Sequence, residues 1–425
     1  MMRRTLRLLY GSVGMLASVG AGIAQERTPG WIERVHFVPT GIERNDIRFG
    51  RQWWNMLAVS GEHAWLYLPS WREDVERWED DTLRFLRFRL STGVWDTVYG
   101  IAPGLSRWLV RPAPAFFDIR DSLLMLGFVG PDRSPELFVV QGIVGRDSLR
   151  GIRWRQVTFP EDPRRYEYAR IVSGRAIVFG KCYRHNPAAD SGNVGFLLLE
   201  WETLRSRARR EVRGLRGMEL THFGPSRLID ARGEWIALVE PGTYTVVLYD
   251  TALRERYRIR RTPPQWRQIP LDTLRKYAQQ GGVKQLIRAV EPYVYAGSRI
   301  EMVCFLDERH LLLRYTAPAS TEGAMADERW GYDIWRLEED TAVLVAADLD
   351  ERAPAEGEIP TPQWPSLRWT LPVADFPWVV TLRADAPIDW VGKPSQEYWR
   401  EREEYAREHE AEYVVEIARL RVPLR

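Results

Sequence analysis

A short apolar stretch, a polar turn and a longer apolar run recur six times along the chain, and this repeat limits the fold more than any other feature. The copies start at intervals of 60, 53, 59, 75 and 67 residues. Turn pairs such as Ser-Gly, Arg-Asp and Arg-Gly favour tight hairpins. The copies are AVSGEHAWLYLP (58–69), DIRDSLLMLGFV (118–129), IVSGRAIVFGKC (171–182), DARGEWIALVEP (230–241), FLDERHLLLRYT (305–316) and PVADFPWVVTLR (372–383).

Most copies are followed by a third apolar run and then by a fourth, more polar strand. The fourth strand alternates, as in residues 255–260, and period two with one polar face indicates a half-exposed edge strand. Four antiparallel strands per unit, repeated six times, predict an all-β fold, a six-bladed β-propeller over residues 31–425. The 19 tryptophans are interpreted mainly as filler between neighbouring blades.

Two further features complete this prediction. Residues 35–38 can pair with residues 413–420, so that the N-terminal strand supplies the outer strand of the last blade and removes its open edge. Short helical insertions are predicted near 271–290 and 395–411, where apolar residues recur at helical spacing or acidic and basic residues alternate.

The chain resembles secreted six-bladed propellers of the broad TolB-like and NHL-like kind. The resemblance rests on the six copies and on third-strand phrases such as residues 248–251 and 88–93, and it covers residues 31–425. It implies the propeller fold and an extracytoplasmic location.

The N-terminus has the pattern of a secretory signal. Arg3 and Arg4 precede an apolar run that ends in small residues, and cleavage is expected near Ala24, so that residues 1–24 are removed. The mature protein is then periplasmic or secreted, bacterial in type and without a membrane span. Cys182 and Cys304 fall in blades three and five, which are not neighbours, so no disulfide is expected between them.

Composition and motifs exclude several classes of function. The chain has 60 basic and 58 acidic residues, and this near balance argues against nucleic-acid binding dominated by phosphate neutralisation. The six histidines have no zinc-ligand spacing, and no cofactor or metal is expected. No nucleophile elbow and no phosphate-binding loop at the start of a helix is present, so no catalytic residue is assigned.

The predicted function is therefore that of a non-catalytic, monomeric scaffold that binds a protein or a glycan at its loop-rich face. Aromatic stacking and arginine contacts there would involve the connections from the second to the third strand of two blades. The candidate binding residues are Trp71, Arg72, Trp78, Arg184, His185 and Asp190. The alternative is an extracytoplasmic hydrolase or lyase with a site at the ring centre, near Tyr168, His222 and Arg299.

Overall fold

Six separate sheets, each of four antiparallel strands, account for nearly all regular structure of the chain. In this computed structural model, all described residues belong to one compact unit, Trp31–Arg425. The structure describes residues 31–43, 56–68, 71–72, 77–78, 81–108, 116–129, 136–145, 148–158, 166–173, 176–181, 193–213, 227–240, 242–264, 266–268, 270, 272, 276, 297–318, 328–350, 371–384, 412–422 and 424.

The first three blades follow one another along the chain. Blade 1 consists of β2 (Leu57–Ser60), β3 (His63–Leu68), β6 (Thr82–Arg89) and β7 (Trp95–Ile101). Blade 2 consists of β8 (Phe116–Arg120), β9 (Leu123–Val129), β10 (Glu136–Val144) and β11 (Leu149–Thr158). Blade 3 consists of β12 (Tyr166–Val172), β13 (Ala176–Lys181), β14 (Asn193–Glu200) and β15 (Ser206–Arg213).

The last three blades continue the series, and the N-terminal strand joins the sixth. Blade 4 consists of β16 (Ile229–Arg232), β17 (Trp235–Glu240), β18 (Thr245–Asp250) and β19 (Glu255–Arg260). Blade 5 consists of β20 (Arg299–Phe305), β21 (His310–Pro318), β22 (Glu328–Leu337) and β23 (Ala342–Asp350). Blade 6 consists of β24 (Val373–Asp375), β25 (Trp378–Ala384), β26 (Glu412–Leu420) and β1 (Ile32–Glu43).

The first strands of the blades form a closed ring. β2 contacts β8, and the contacts continue through β12, β16, β20 and β24 back to β2. This cyclic order confirms the predicted six-bladed β-propeller.

The ring is closed by pairing of the two ends of the folded chain. β1 runs antiparallel to β26, with His36 opposite Ile417 and Val38 opposite Val415. The predicted pairing of residues 35–38 is therefore present in the structure. β1 covers the edge of β26, which would otherwise expose unpaired backbone groups.

The hydrophobic core lies between neighbouring blades. Because the inner strands of each sheet are buried on both faces, they are continuous apolar runs, as in β17 and β18. Aromatic rings meet across the boundaries, with centroids 5.6 Å apart for Phe85 and Phe117 and 5.1 Å apart for Phe116 and Phe179. The sequence interpretation was that flat aromatic side chains fill this space and that most of the 19 tryptophans are among them. At these two boundaries phenylalanine provides the contacts, while Trp201 and Trp335 are buried in core clusters shared by neighbouring blades and Trp108 is 53% exposed.

In blades 1, 2 and 4 the hairpin turn between the first and second strands lies one residue later than the sequence pair predicts. β2 and β3 are joined by residues 61–62, and β16 and β17 by residues 233–234. Gly61 and Gly233 have φ angles of 58° and 57°, a left-handed conformation that glycine adopts without strain. Asp121 adopts a φ of 47° at the equivalent turn of blade 2.

Each sheet has two ends, which define two poles of the propeller. The turn pole carries the hairpins between first and second strands and between third and fourth strands. The loop pole carries the connections between second and third strands and between successive blades. A single turn of 3₁₀ helix, Leu105–Arg107, follows β7 at the loop pole. A short ribbon of β4 (Trp71–Arg72) and β5 (Arg77–Trp78) lies between β3 and β6.

Three sequence predictions fall mainly outside the described residues. Asp272 and Lys276 are helical and are the described residues of the insertion predicted near 271–290. The insertion near 395–411 and the signal at residues 1–24 lie outside the described part of the chain. Where the structure describes the chain, it contains no helix with the length and apolar character needed to cross a membrane.

Candidate functional site

The predicted binding face contains a described ribbon that is not one of the four strands of blade 1. In the ribbon, Trp71 pairs with Trp78 and Arg72 pairs with Arg77. Residues at opposing positions of an antiparallel pair lie on the same face of the ribbon. The structure thus brings the two predicted tryptophans to adjacent positions at the loop pole.

The other predicted binding residues cannot be placed beside this ribbon. Arg184, His185 and Asp190 belong to the connection between β13 and β14 and lie outside the described residues. His222, proposed for the alternative enzyme site, also lies outside them. Tyr168 lies in β12, opposite Gly180 of β13.

Arg299 is enclosed within blade 5 and does not line an open centre. Its side chain is 1% exposed, and its guanidinium lies 3.0 Å from the Glu301 carboxylate. Arg314, which is fully buried, lies 3.9 Å from the other oxygen of the same carboxylate. A buried carboxylate between two guanidinium groups holds charges that would be costly to leave unpaired, and this arrangement ties β20 to β21.

A ring of aspartates and arginines surrounds the axis toward the turn pole. Alternate blades provide an aspartate that accepts a hydrogen bond from a backbone N–H of the next blade. Asp118 of blade 2 accepts from Ile171 at 2.8 Å, and Asp230 of blade 4 accepts from Phe305 at 2.7 Å. Asp375 of blade 6 accepts a hydrogen bond from the N–H of Gly61, in the first hairpin turn of blade 1, at 2.8 Å.

Arginines of the same ring connect further blades. The side chain of Arg170 in blade 3 lies 3.2 Å from a carboxylate oxygen of Asp230 in blade 4. Arg232 donates to the carbonyl oxygens of Leu306 and Ala374 at 3.2 and 2.9 Å, and it also pairs with Asp375. One guanidinium of blade 4 therefore binds both blade 5 and blade 6.

The crowding of positive charge at the axis affects protonation. Burial lowers the pKa of Arg120, and the nearby guanidinium groups of Arg232 and Arg170 lower it further, while Asp118 raises it. Arg120 also donates to the carbonyl oxygen of Val59 in blade 1 at 3.3 Å. These charged side chains bind one another and backbone carbonyl oxygens of other blades. They therefore hold neighbouring blades together.

Sequence reasoning missed this ring although a signal was present. Two of the six copies contain the same triplet, Asp-x-Arg, at residues 118–120 and 230–232. The residues predicted for a ring-centre site, Tyr168, His222 and Arg299, were placed at the starts of the first strands. The charged ring lies instead at the ends of those strands, next to the hairpin turns.

A second polar cluster joins blades 4 and 5 near the loop pole. Asp333 is fully buried and accepts hydrogen bonds from Arg261 at 2.5 Å, from the Tyr244 hydroxyl, and from the backbone N–H of Asp348 at 2.8 Å. The Asp348 carboxylate binds the same guanidinium and accepts a hydrogen bond from the Tyr315 hydroxyl. Arg261 thus holds two carboxylates that belong to neighbouring strands of blade 5.

The protonation of this cluster follows from burial and neighbouring charge. Burial raises the pKa of Tyr244, and the adjacent Asp333 carboxylate raises it further. Although burial opposes it, hydrogen bonds to Asp333 and Asp348 raise the pKa of Arg261. The tyrosines therefore remain hydroxyl donors and the arginine remains a cation, so the cluster is a fixed ion-pair network.

The thiol of Cys304, the cysteine that the structure describes, has low reactivity. Cys304 is a buried free cysteine, and burial, together with the nearby Asp230 carboxylate, raises its pKa to about 11. A thiol with such a pKa is a weak nucleophile at neutral pH. Cys182 lies outside the described residues. Within the described ranges, no group of three or more His, Cys, Asp or Glu side chains is arranged to hold a metal ion.

The sequence matches no protein-family model and no curated protein. Among solved structures, the chain is similar to the N-terminal domain of Nup159, with 9% identity and a TM-score of 0.37 over 86% of this chain and 81% of that one. It is similar to the β-propeller domain of the trilobed protease from Pyrococcus furiosus, with 9% identity and a TM-score of 0.28 over 67% and 66% of the two chains.

A thermostable family-43 glycoside hydrolase is also similar, with 9% identity and a TM-score of 0.32 over 70% of this chain and 94% of that one. Likeness at this level carries no information about ligand or activity. The protein is a six-bladed β-propeller by virtue of its own six sheets and the cyclic contacts of their first strands.

Proposed function

We propose that the protein is a non-catalytic binding scaffold that recognises a protein or a glycan at its loop pole. The observation that supports this proposal most directly is the β4–β5 ribbon, in which Trp71 and Trp78 occupy paired positions of the two strands. Paired aromatic residues present flat apolar surface together with an indole N–H donor, which suits both sugar rings and protein side chains.

The buried aspartates of the two polar clusters that the structure describes are engaged within the fold. The axial aspartates Asp118 and Asp230 accept backbone N–H groups of the next blade, and Asp333 accepts three donors in the cluster near the loop pole. A general base needs a lone pair directed at a substrate, whereas these carboxylates accept hydrogen bonds from donors within the fold. The alternative, a hydrolase or lyase with a ring-centre site, stays a prediction.

Binding of the purified chain to an array of neutral and acidic glycans tests the proposal, with the doubly substituted Trp71→Ala, Trp78→Ala variant beside the wild type. We expect the wild type to bind at least one glycan class and the variant to lose about tenfold in affinity, because stacking on an aromatic ring contributes on the order of 1 kcal/mol.

Trp95→Ala provides a matched control, because Trp95 is a 45% exposed tryptophan on the outer strand of the same blade. Equal affinity of the ribbon variant and the wild type would contradict the assignment of this face. Equal loss in the ribbon variant and in Trp95→Ala would contradict it as well.

A further inference from the structure

Exposed arginines are concentrated on the outer strands of three consecutive blades. The outer strand is the fourth strand of each blade, and in blades 2, 3 and 4 these are β11, β15 and β19. We name this surface the arginine arc. Its exposed arginines, including the residue that precedes β15 or β19, are Arg150, Arg153, Arg155, Arg205, Arg207, Arg209, Arg210, Arg254, Arg256, Arg258 and Arg260.

The outer strands of the other three blades have the opposite character. β7 and β23 contain neither arginine nor lysine, and β1 contains Arg34 with Glu33 and Glu43. Their exposed side chains are instead apolar or acidic, such as Trp95, Tyr99 and Asp96. Because the whole chain has a net charge of only +2, the arc reflects segregation of charge around the rim.

Only part of the arc is neutralised by neighbouring carboxylates. Arg153 pairs with Glu202 at 2.8 Å, and Arg254 pairs with Asp250 at 2.8 Å. Glu255 lies 2.6 Å from Arg258. The exposed side chains of Arg150, Arg205, Arg207 and Arg260 form no ion pair with a carboxylate in the described part of the chain.

A groove of about 350 Å³ lies within the arc, between the outer strands of blades 2 and 3. This volume falls in the range of small ligand sites. Positively charged side chains and hydroxyl groups dominate its lining. The lining residues are Arg155, Gln156, Val157, Thr158, Thr203, Leu204, Arg205 and Ser206.

The groove is held in place by contacts across the blade boundary. A guanidinium nitrogen of Arg155 donates to the carbonyl oxygen of Glu202 at 2.6 Å. The Thr203 hydroxyl donates to Glu200 at 2.6 Å and accepts the backbone N–H of Arg205 at 3.2 Å. These contacts fix the turn between β14 and β15 against β11. Arg155 and Arg205 both line the groove between them.

We propose that the arginine arc binds an anionic polysaccharide whose chain runs along the rim of blades 2 to 4, with one acidic sugar seated in the groove. Arginine forks bind carboxylate and sulfate groups with paired hydrogen bonds, and the groove hydroxyls match sugar hydroxyls.

The surface favours a polysaccharide over other polyanions. Single-stranded nucleic acid binds through bases stacked on exposed aromatic rings, and protein partners are anchored by aromatic or large apolar groups. No large apolar side chain in the described parts of β11, β15 and β19 is among the strongly exposed ones. A curved rim that carries charge without such anchors fits a flexible, hydroxylated polyanion.

The test is binding of the full chain to immobilised heparin, a sulfated polysaccharide, at about 0.1 M salt, a concentration at which exposed charges are only partly screened. We expect the doubly substituted Arg155→Gln, Arg205→Gln variant to bind about tenfold more weakly than the wild type. The control is the doubly substituted Arg89→Gln, Arg309→Gln variant. Both arginines are exposed and lie on blades 1 and 5, outside the arc, and their replacement removes the same charge as the test variant does.

The outcomes separate the proposal from its rivals. Unchanged heparin affinity in the Arg155→Gln, Arg205→Gln variant, or equal weakening in the control, would overturn it. Tighter binding to polyglutamate or to single-stranded DNA than to heparin would assign the arc to another class of partner and also overturn it. Retained heparin binding in the Trp71→Ala, Trp78→Ala variant would keep this proposal distinct from the one for the loop pole.

Discussion

Arginine has two different uses in this protein, one at the axis and one at the rim. At the axis, Arg170 and Arg232 are buried and bind carboxylates or carbonyl oxygens of another blade. At the rim, Arg207 and Arg260 are exposed and form no ion pair with a carboxylate in the described part of the chain. The comparison teaches that the surroundings of a guanidinium decide whether it stabilises the fold or remains available for a ligand.

The difference follows from the cost of burying charge. A buried guanidinium is tolerated only when carboxylates and carbonyl oxygens replace its water, and such a group then fixes the elements that supply them. An exposed guanidinium keeps its water, contributes little to stability and can exchange that water for a ligand.

The largest expected effect comes from comparing Arg232→Ala with Arg207→Ala. Loss of the Arg232 guanidinium removes the charged partner of Asp375 and a donor to two carbonyl oxygens, and we expect the free energy of unfolding to fall by about 3–5 kcal/mol. Arg207→Ala should change it by less than about 0.5 kcal/mol. Urea denaturation of both variants measures the contrast, and equal losses would end the distinction between the two uses.

A second, smaller effect tests how tightly the interior is packed near the loop pole. A Cβ at Gly331 would overlap the Tyr315 ring, whose hydroxyl donates to Asp348. Gly331→Ala should therefore destabilise the protein by about 1–3 kcal/mol. At Gly142 the nearest atom to an added Cβ is 3.3 Å away, so Gly142→Ala should cost less. A larger loss at Gly142 in thermal unfolding would contradict the packing described here.

The smallest effect concerns pH at a half-buried residue of blade 1. Burial lowers the pKa of His63, and the neighbouring Arg87 and Arg89 lower it further against the opposing effects of Glu62 and Asp96. As pH falls below about 6.5, the unfolded chain binds a proton at this position that the folded chain resists, so stability decreases.

Replacement of His63 by glutamine removes this contribution. The decline of the melting temperature between about pH 7 and pH 5, the range in which histidine titrates, should be shallower in His63→Gln than in the wild type. Identical slopes in the two proteins would show that His63 does not contribute to the pH dependence.

The fold could be predicted from the sequence because each blade carries its own local pattern. Alternation at residues 255–260 marked an outer strand, and the buried runs marked the inner strands, so the six sheets and the pairing of β1 with β26 followed. The turns of blades 1, 2 and 4 were predicted one residue too early, and in blades 1 and 4 Gly61 and Gly233 occupy the first turn position rather than the second.

The polar sites were much harder to predict, because they depend on residues that are distant in the sequence. Asp333 and Asp348 lie 72 and 87 residues from Arg261, and only the placement of blade 5 beside blade 4 brings them together. The axial ring was partly visible as the repeated Asp-x-Arg triplet at residues 118–120 and 230–232. Its partners, such as the backbone N–H of Phe305, carry no signal in the sequence.

The central claim is that buried charge pairs fasten one blade to the next, and a double-mutant cycle between Arg170 and Asp230 tests it most directly. The four proteins are the wild type, Arg170→Met, Asp230→Asn and the double variant, each unfolded in urea. We predict a coupling free energy of about 2–3 kcal/mol between the two side chains. A coupling below about 0.5 kcal/mol, the level expected of independent sites, would contradict the claim.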